Sequence, residues 1–167
     1  MALRSMLGLT EPHTFELVDR RMATVMANGD PEKLGQDLIP LLYETVNRVR
    51  ESQPFELEPL RARWPSESRL LRLNRPAMWG LPVPAEVTEL PQLDSEHPVR
   101  IDVWEYGSVA EILHEGSRAE EGKAVDRLRR YITDQGYELI GPHEEEYLTP
   151  PNAPIPKTLI RYRVRCR

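Results

Sequence analysis

The chain has 167 residues, 40% hydrophobic and 29% charged, a composition that fills one core of ordinary size and excludes disorder throughout. Its 22 Lys and Arg stand against 27 Asp and Glu, a formal charge of -5, which leaves no electrostatic footprint for direct binding to nucleic acid or an anionic membrane. The single cysteine, Cys166, has no intramolecular partner, and no apolar run exceeds the six residues Leu38 to Tyr43, so a reducing cytoplasm is the expected location.

Self-similarity organises the chain. The segment Met22-Ala23-Thr24-Val25-Met26-Ala27-Asn28-Gly29 is answered by Val109-Ala110-Glu111-Ile112-Leu113-His114-Glu115-Gly116. Farther on, Gln53-Pro54-Phe55-Glu56-Leu57-Glu58-Pro59 is answered by Gln135-Gly136-Tyr137-Glu138-Leu139-Ile140-Gly141-Pro142. In this register Trp64 stands opposite Tyr147, and Ala62 opposite Glu145. Residues 1–13 read as an N-terminal extension, about 14–83 as the first copy, 84–98 as a proline-rich linker and 99–167 as the second copy. Each copy reads as strand, strand, helix, strand, strand. The expected fold is α+β: an antiparallel sheet, helices on one side, and a pocket at the pseudo-twofold seam.

In the first copy Asp30 and Pro31 open a helix whose apolar positions are Leu34, Leu38, Leu41, Leu42, Val46 and Val49, with Pro40 expected to kink it. A closing strand falls within Arg69 to Val83. In the second copy, Val99 to Tyr106 and Val109 to Glu115 flank Gly107-Ser108, which predicts a tight hairpin because glycine supplies a positive φ. Ser117 is the expected cap of a helix with Ala124, Val125, Leu128, Tyr131 and Ile132 on one face, and Gly136 is its stop. Along the last strand, Lys157 to Cys166, the alternating Arg161, Arg163, Arg165 and Arg167 read as a solvated face.

The cluster His143-Glu144-Glu145-Glu146-Tyr147 follows the turn signal Gly141-Pro142. Strand alternation puts His143, Glu145 and Tyr147 on one face and Glu144 and Glu146 on the other. Two readings stand: an exposed edge strand whose charges deter edge pairing, or a carboxylate beneath an aromatic wall, suited to a cationic ligand. The ligand-binding candidates are Trp64, Trp79, Glu145 and Tyr147. The catalytic candidates are Glu145, as a general base whose pKa burial and the flanking Glu144 and Glu146 should raise, and Tyr147, as a donor to a leaving oxygen. His143 and Glu145 share a face and could hold a metal, but no third ligand is visible, so neither a metal nor another cofactor is assigned. His114, at a strand end, reads as structural.

Over residues 99 to 165 the chain resembles the GyrI-like small-molecule-binding domain, the effector-binding domain of bacterial transcription factors. The resemblance rests on Val109 to Gly116, Gly136 to Pro142, Glu145-x-Tyr147-Leu148 and the closing Thr158 to Val164. Residues 14 to 83 add Gly80-Leu81-Pro82-Val83-Pro84 and the repeat. It implies a duplicated fold with a central pocket, and a pocket glutamate, here Glu145 beside Tyr147, that faces cationic, aromatic or lipophilic ligands. The family includes domains behind a helix-turn-helix, stand-alone gyrase-inhibitor-like proteins, and hydrolases that open cyclopropane-bearing genotoxins. With about a dozen residues before the first copy, the chain looks like a stand-alone member. A small molecule is therefore the expected partner. The alternatives are hydrolysis of a strained electrophile and binding to a protein such as a type II topoisomerase.

Overall fold

A computed structural model describes residues 6–64, 77–150 and 152–167. The chain up to Val18 together with Tyr106–Arg167 forms one compact unit, here the terminal unit, and Asp19–Glu105 forms a second, the central unit. In chain order the elements are α1 (Met6–Leu9), β1 (His13–Leu17), β2 (Arg20–Ala27), α2 (Pro31–Ser52), β3 (Arg61–Trp64), β4 (Ala77–Pro82) and β5 (Arg100–Trp104). They continue with β6 (Gly107–Glu115), a 3-10 turn (Arg118–Glu120), α3 (Glu121–Asp134), β7 (Tyr137–Leu139), β8 (His143–Tyr147) and β9 (Lys157–Cys166). The class is α+β, as the sequence predicts.

In the central unit the strands run β3-β4-β2-β5, each antiparallel to its neighbour. Alternation buries Ala23, Val25 and Ala27 of β2 with Ala77, Trp79 and Leu81 of β4, and α2 lies on these two strands. Its Leu38, Leu42, Val46 and Val49 are buried, as the helical spacing requires, while Leu34 and Leu41 are half-buried. The helix runs on through Pro40. Pro40 lies on the exposed side, so water can satisfy the Gln36 carbonyl that the missing N–H leaves free. Of the strand expected within Arg69 to Val83, β4 occupies Ala77–Pro82, and residues 69–76 lie outside the described residues.

In the terminal unit the order is β1-β6-β9-β8, with β7 paired to the far end of β9, Leu139 opposite Val164. One core unites Ala110 and Ile112 of β6, Ala124, Val125, Leu128 and Ile132 of α3, and Ile160, Tyr162 and Val164 of β9. The helix stops at Gly136, whose φ of 79° is left-handed and whose N–H donates to the Thr133 carbonyl at 3.1 Å. Its start differs from expectation. A 3-10 turn precedes α3, and the Ser117 hydroxyl makes no capping hydrogen bond.

The hairpin at Gly107-Ser108 does not form. Gly107 has the predicted positive φ, 80°. Yet β5 pairs with β2, from Arg20 opposite Trp104 to Thr24 opposite Arg100, whereas β6 pairs with β1, from Leu17 opposite Gly107 to His13 opposite Glu111. The reason is edge availability: β1 takes one side of β6 and β9 the other, so its backbone groups have no place for β5. The turn instead carries the chain from the central to the terminal unit. Among the described residues no helix is long and apolar enough to cross a membrane.

Leu42 and Leu128 are fully buried, one in each unit. Leu42→Ala and Leu128→Ala should each cost about 2–5 kcal/mol in urea unfolding. The exposed Val103→Ala should stay within about 0.5 kcal/mol. A Leu128→Ala protein as stable as the parent would contradict the packing of α3.

Candidate functional site

Strand β8 lies beside β9, with Glu144 opposite Arg161, Glu145 opposite Ile160 and Tyr147 opposite Thr158. Its alternation is the predicted one. The exposed-edge reading is not, since Glu144 and Glu145 are each only 2% exposed. Carboxylates so placed must find positive partners, and the two faces of β8 find different ones.

On one face the partner is Arg161. Its Nε donates to Glu111 Oε2 at 2.8 Å and its Nη1 to Glu144 Oε2 at 2.5 Å, while Nη2 lies 2.7 Å from Glu111 Oε2 and 3.6 Å from Glu146 Oε1. The Tyr106 hydroxyl shares its proton between the two Glu144 oxygens, each 3.0 Å away. His13 Nε2 lies 3.6 Å from Glu111 Oε1. Burial pushes the Glu111 carboxyl up, but His13 and Arg161 outweigh it and hold the pKa below its ordinary value. The expected arginine face is therefore corrected. Arg165 and Arg167 are exposed, but Arg161 is buried, drawn in by carboxylates from β6 and β8, and Arg163 is half-buried, donating to the Tyr106 carbonyl.

On the other face Tyr147 donates its hydroxyl proton to Glu145 Oε2 at 2.9 Å. His143 Nε2 stands 3.5 Å from Glu145 Oε1 and 3.8 Å from Oε1 of Glu121, while its Nδ1 lies 2.6 Å from the Tyr162 hydroxyl. An Nη of the exposed Arg118 reaches to 4.0 Å from Glu145 Oε2. Glu121 enters from the first turn of α3, where the helix dipole favours an anion, and the apolar face of α3 sets that turn near β8. Sequence reasoning missed it. Glu121 lies 22 positions before His143, and no local pattern links a helix start to a strand.

Electrostatics follow from this placement. Burial pushes Glu145 up, yet the polar side chains of His143 and Glu121 beside it and the charges of His143 and Arg118 bring its pKa down to about 2. Burial would lower His143, but Glu121 and Glu145 raise it to about 10. Glu121 is raised by burial and by the neighbouring Glu145. Tyr147 is raised well above 10.0 by burial and by Glu145. The raised pKa expected for Glu145 thus belongs to Glu121. Glu144 and Glu146 face away toward Arg161, while the imidazolium shares the face of Glu145. Nor is the Tyr147 hydroxyl reserved for a leaving oxygen, because its proton goes to Glu145.

The sequence candidates divide between the units: Glu145 and Tyr147 meet in the terminal unit, and Trp64 and Trp79 belong to the central one. Trp79 is 4% exposed and packs close to Gly35 of α2. Ala62 pairs with Trp79, so the half-buried Trp64 shares that face. His114 Nε2 donates to the Ser117 carbonyl at 2.8 Å, a structural bond that steadies the turn into α3.

The pair His143 and Glu145 has a definite pH signature. The raised His143 contributes stability that is complete below its ordinary pKa of 6.5 and is lost as pH rises through about 10. The lowered Glu145 contributes stability complete above 4.5 and lost as pH falls through about 2. Unfolding measured against pH should show this contribution fullest between 4.5 and 6.5, and His143→Gln should flatten the alkaline decline. On the opposite face, Arg161→Met strands buried carboxylates and should cost about 3–5 kcal/mol at neutral pH, less in acid where they protonate. An Arg161→Met loss that does not shrink in acid would contradict the ion-pair origin.

Several solved structures share this architecture. An uncharacterized conserved protein from Listeria innocua is 22% identical and superposes with a TM-score of 0.81 over 93% of both chains. A hydrolase from Listeria innocua is 21% identical, with a TM-score of 0.79 over 93% of this chain and 92% of that one. The EcmrR C-terminal domain is 14% identical, with a TM-score of 0.70 over 94% of this chain and 98% of that one. No protein-family model and no curated protein matches the chain. At these identities the likeness is one of fold, and the fold is GyrI-like, as the resemblance of the sequence segments implies.

Proposed function

We propose that the chain binds a small cationic compound with aromatic or lipophilic surface, and that Glu145 of the terminal unit is the anion that receives it. The observation that carries this reading is the approach of Arg118. Its side chain is 64% exposed, yet its guanidinium rests 4.0 Å from a carboxylate that is 3% exposed. A cation can therefore reach Glu145 from solvent. A ligand cation would take the place of Arg118, while Tyr147 and His143 keep the carboxylate ionised and fixed. The GyrI-like fold and its likeness to the EcmrR C-terminal domain support a ligand-binding role. Attraction of this kind strengthens with desolvation, and an aromatic neighbour such as Tyr147 adds to it.

A panel of cationic aromatic dyes, read by thermal shift in the presence of a chelator, tests the proposal. Arg118→Ala should tighten binding about threefold by removing an exposed competing ion pair. Glu145→Gln and Tyr147→Phe should weaken it. Dyes that bind equally to parent, Arg118→Ala and Tyr147→Phe would overturn the assignment.

A second reading, hydrolysis of a strained electrophile, is favoured by the description of the Listeria innocua neighbour as a hydrolase and by the paired Glu121 and Glu145. Here Glu121, whose pKa burial and the neighbouring Glu145 raise, is the carboxyl group assigned the proton. Water would attack a cyclopropane carbon and give its proton to Glu121 as the ring bond breaks toward the electron-accepting oxygen, which is then protonated. Incubation with a cyclopropane-bearing alkylating agent should yield ring-opened product, and Glu121→Gln should abolish it. Turnover that never exceeds the buffer rate from mildly acid to mildly alkaline pH would remove this reading.

A further inference from the structure

We propose that Glu121, His143 and Glu145 form a binding site for one divalent first-row metal ion, zinc above all, with His143 Nε2 and one Oε1 from each glutamate as the protein ligands.

The argument begins with what each side chain does with its other polar atom. His143 uses Nδ1 on the Tyr162 hydroxyl at 2.6 Å, which aims Nε2 at the two carboxylates. Glu145 uses Oε2 on the Tyr147 hydroxyl at 2.9 Å, which leaves Oε1 facing His143. Glu121 Oε1 is buried and has no hydrogen-bond partner among the described residues. The three remaining atoms converge. His143 Nε2 is 3.5 Å from Glu145 Oε1 and 3.8 Å from Glu121 Oε1, and one ligand atom from each residue lies within 4.8 Å of the others.

Ligand atoms bonded to a tetrahedral zinc at about 2.1 Å stand about 3.4 Å apart, so small side-chain adjustments close the shell. A histidine whose second nitrogen is held by a hydroxyl, and a carboxylate whose second oxygen is held likewise, are the outer contacts that orient metal ligands. One imidazole and two carboxylates suit zinc, manganese or cobalt better than magnesium or calcium, which favour oxygen alone. Three protein ligands also leave a fourth position for water. On binding, Nε2 gives up its proton, and the metal becomes the positive charge between the two glutamates. The supports come from separate elements: Glu121 from α3, His143 and Glu145 from β8, and Tyr162 from β9.

This inference goes beyond ligand binding at Glu145 and does not need it. Because the dye panel is read in chelator, the two proposals fail separately. The test uses the full chain carrying Cys166→Ser, which removes the exposed thiol as a zinc ligand. Calorimetry with zinc alone should show one equivalent bound per chain, and cobalt should give the visible spectrum of a tetrahedral site. Glu121→Gln and His143→Gln should each weaken zinc at least tenfold. Tyr162→Phe, which keeps the ring and deletes the orienting hydroxyl, should weaken it about 10-fold to 100-fold. Magnesium should bind far more weakly than zinc. Zinc affinity unchanged in both Glu121→Gln and His143→Gln, with circular dichroism showing them folded, would overturn the site. So would a parent that takes up none of zinc, cobalt and manganese.

Discussion

Consecutive carboxylates buried in one strand are the constraint on which the terminal unit turns. Glu144 and Glu145 sit side by side in β8 at 2% exposure, and no folded chain tolerates that without local positive charge. The pleat resolves it by sending successive side chains to opposite faces, so each carboxylate is neutralised separately. Arg161 answers Glu144 from the neighbouring strand, and His143 answers Glu145 from the same one. Moving β8 by one residue against β9 would exchange the two faces and put both carboxylates beside the wrong partners. Register and chemistry are thus the same fact here.

The two charge clusters do different things with their partners. Around Arg161 the donors are used up: a guanidinium and a tyrosine hydroxyl engage Glu111 and Glu144 at hydrogen-bond distance, in the manner of a structural network. Around His143 the fit is looser, with separations of 3.5 and 3.8 Å and one glutamate oxygen without a hydrogen-bond partner. Looser geometry around a histidine and two carboxylates, with an exposed guanidinium nearby, sets this cluster apart from the network at Arg161. That contrast, more than the number of acidic residues, separates a stabilising face from a candidate functional one.

Strand exchange shapes each unit. β1 precedes β2 in sequence but pairs with β6, and β5 precedes β6 but pairs with β2. Each unit therefore draws an edge strand from a distant stretch of the chain. Turn residues such as Gly107 report the local backbone, but they carry no information on which sheet edge lies open.

The sequence by itself determined whatever depends on short-range periodicity. The α+β class, the buried faces of α2 and α3, the stop at Gly136 and the two-faced character of His143 to Tyr147 follow from residues within about one turn or a few pleats of each other. Tertiary structure decided what depends on distant chain segments. It replaced the hairpin by exchanged strands and buried Arg161 where alternation suggested a wet face. It moved the raised carboxyl from Glu145 to Glu121, and it supplied Glu121 as the third group beside His143 and Glu145. A pKa and a ligand shell are set by the charges within a few ångströms, whatever their place in the chain. For Glu145 one of those groups, His143, shares its strand, but Glu121 and Arg118 come from α3 and the turn before it, which only the folded chain brings to β8.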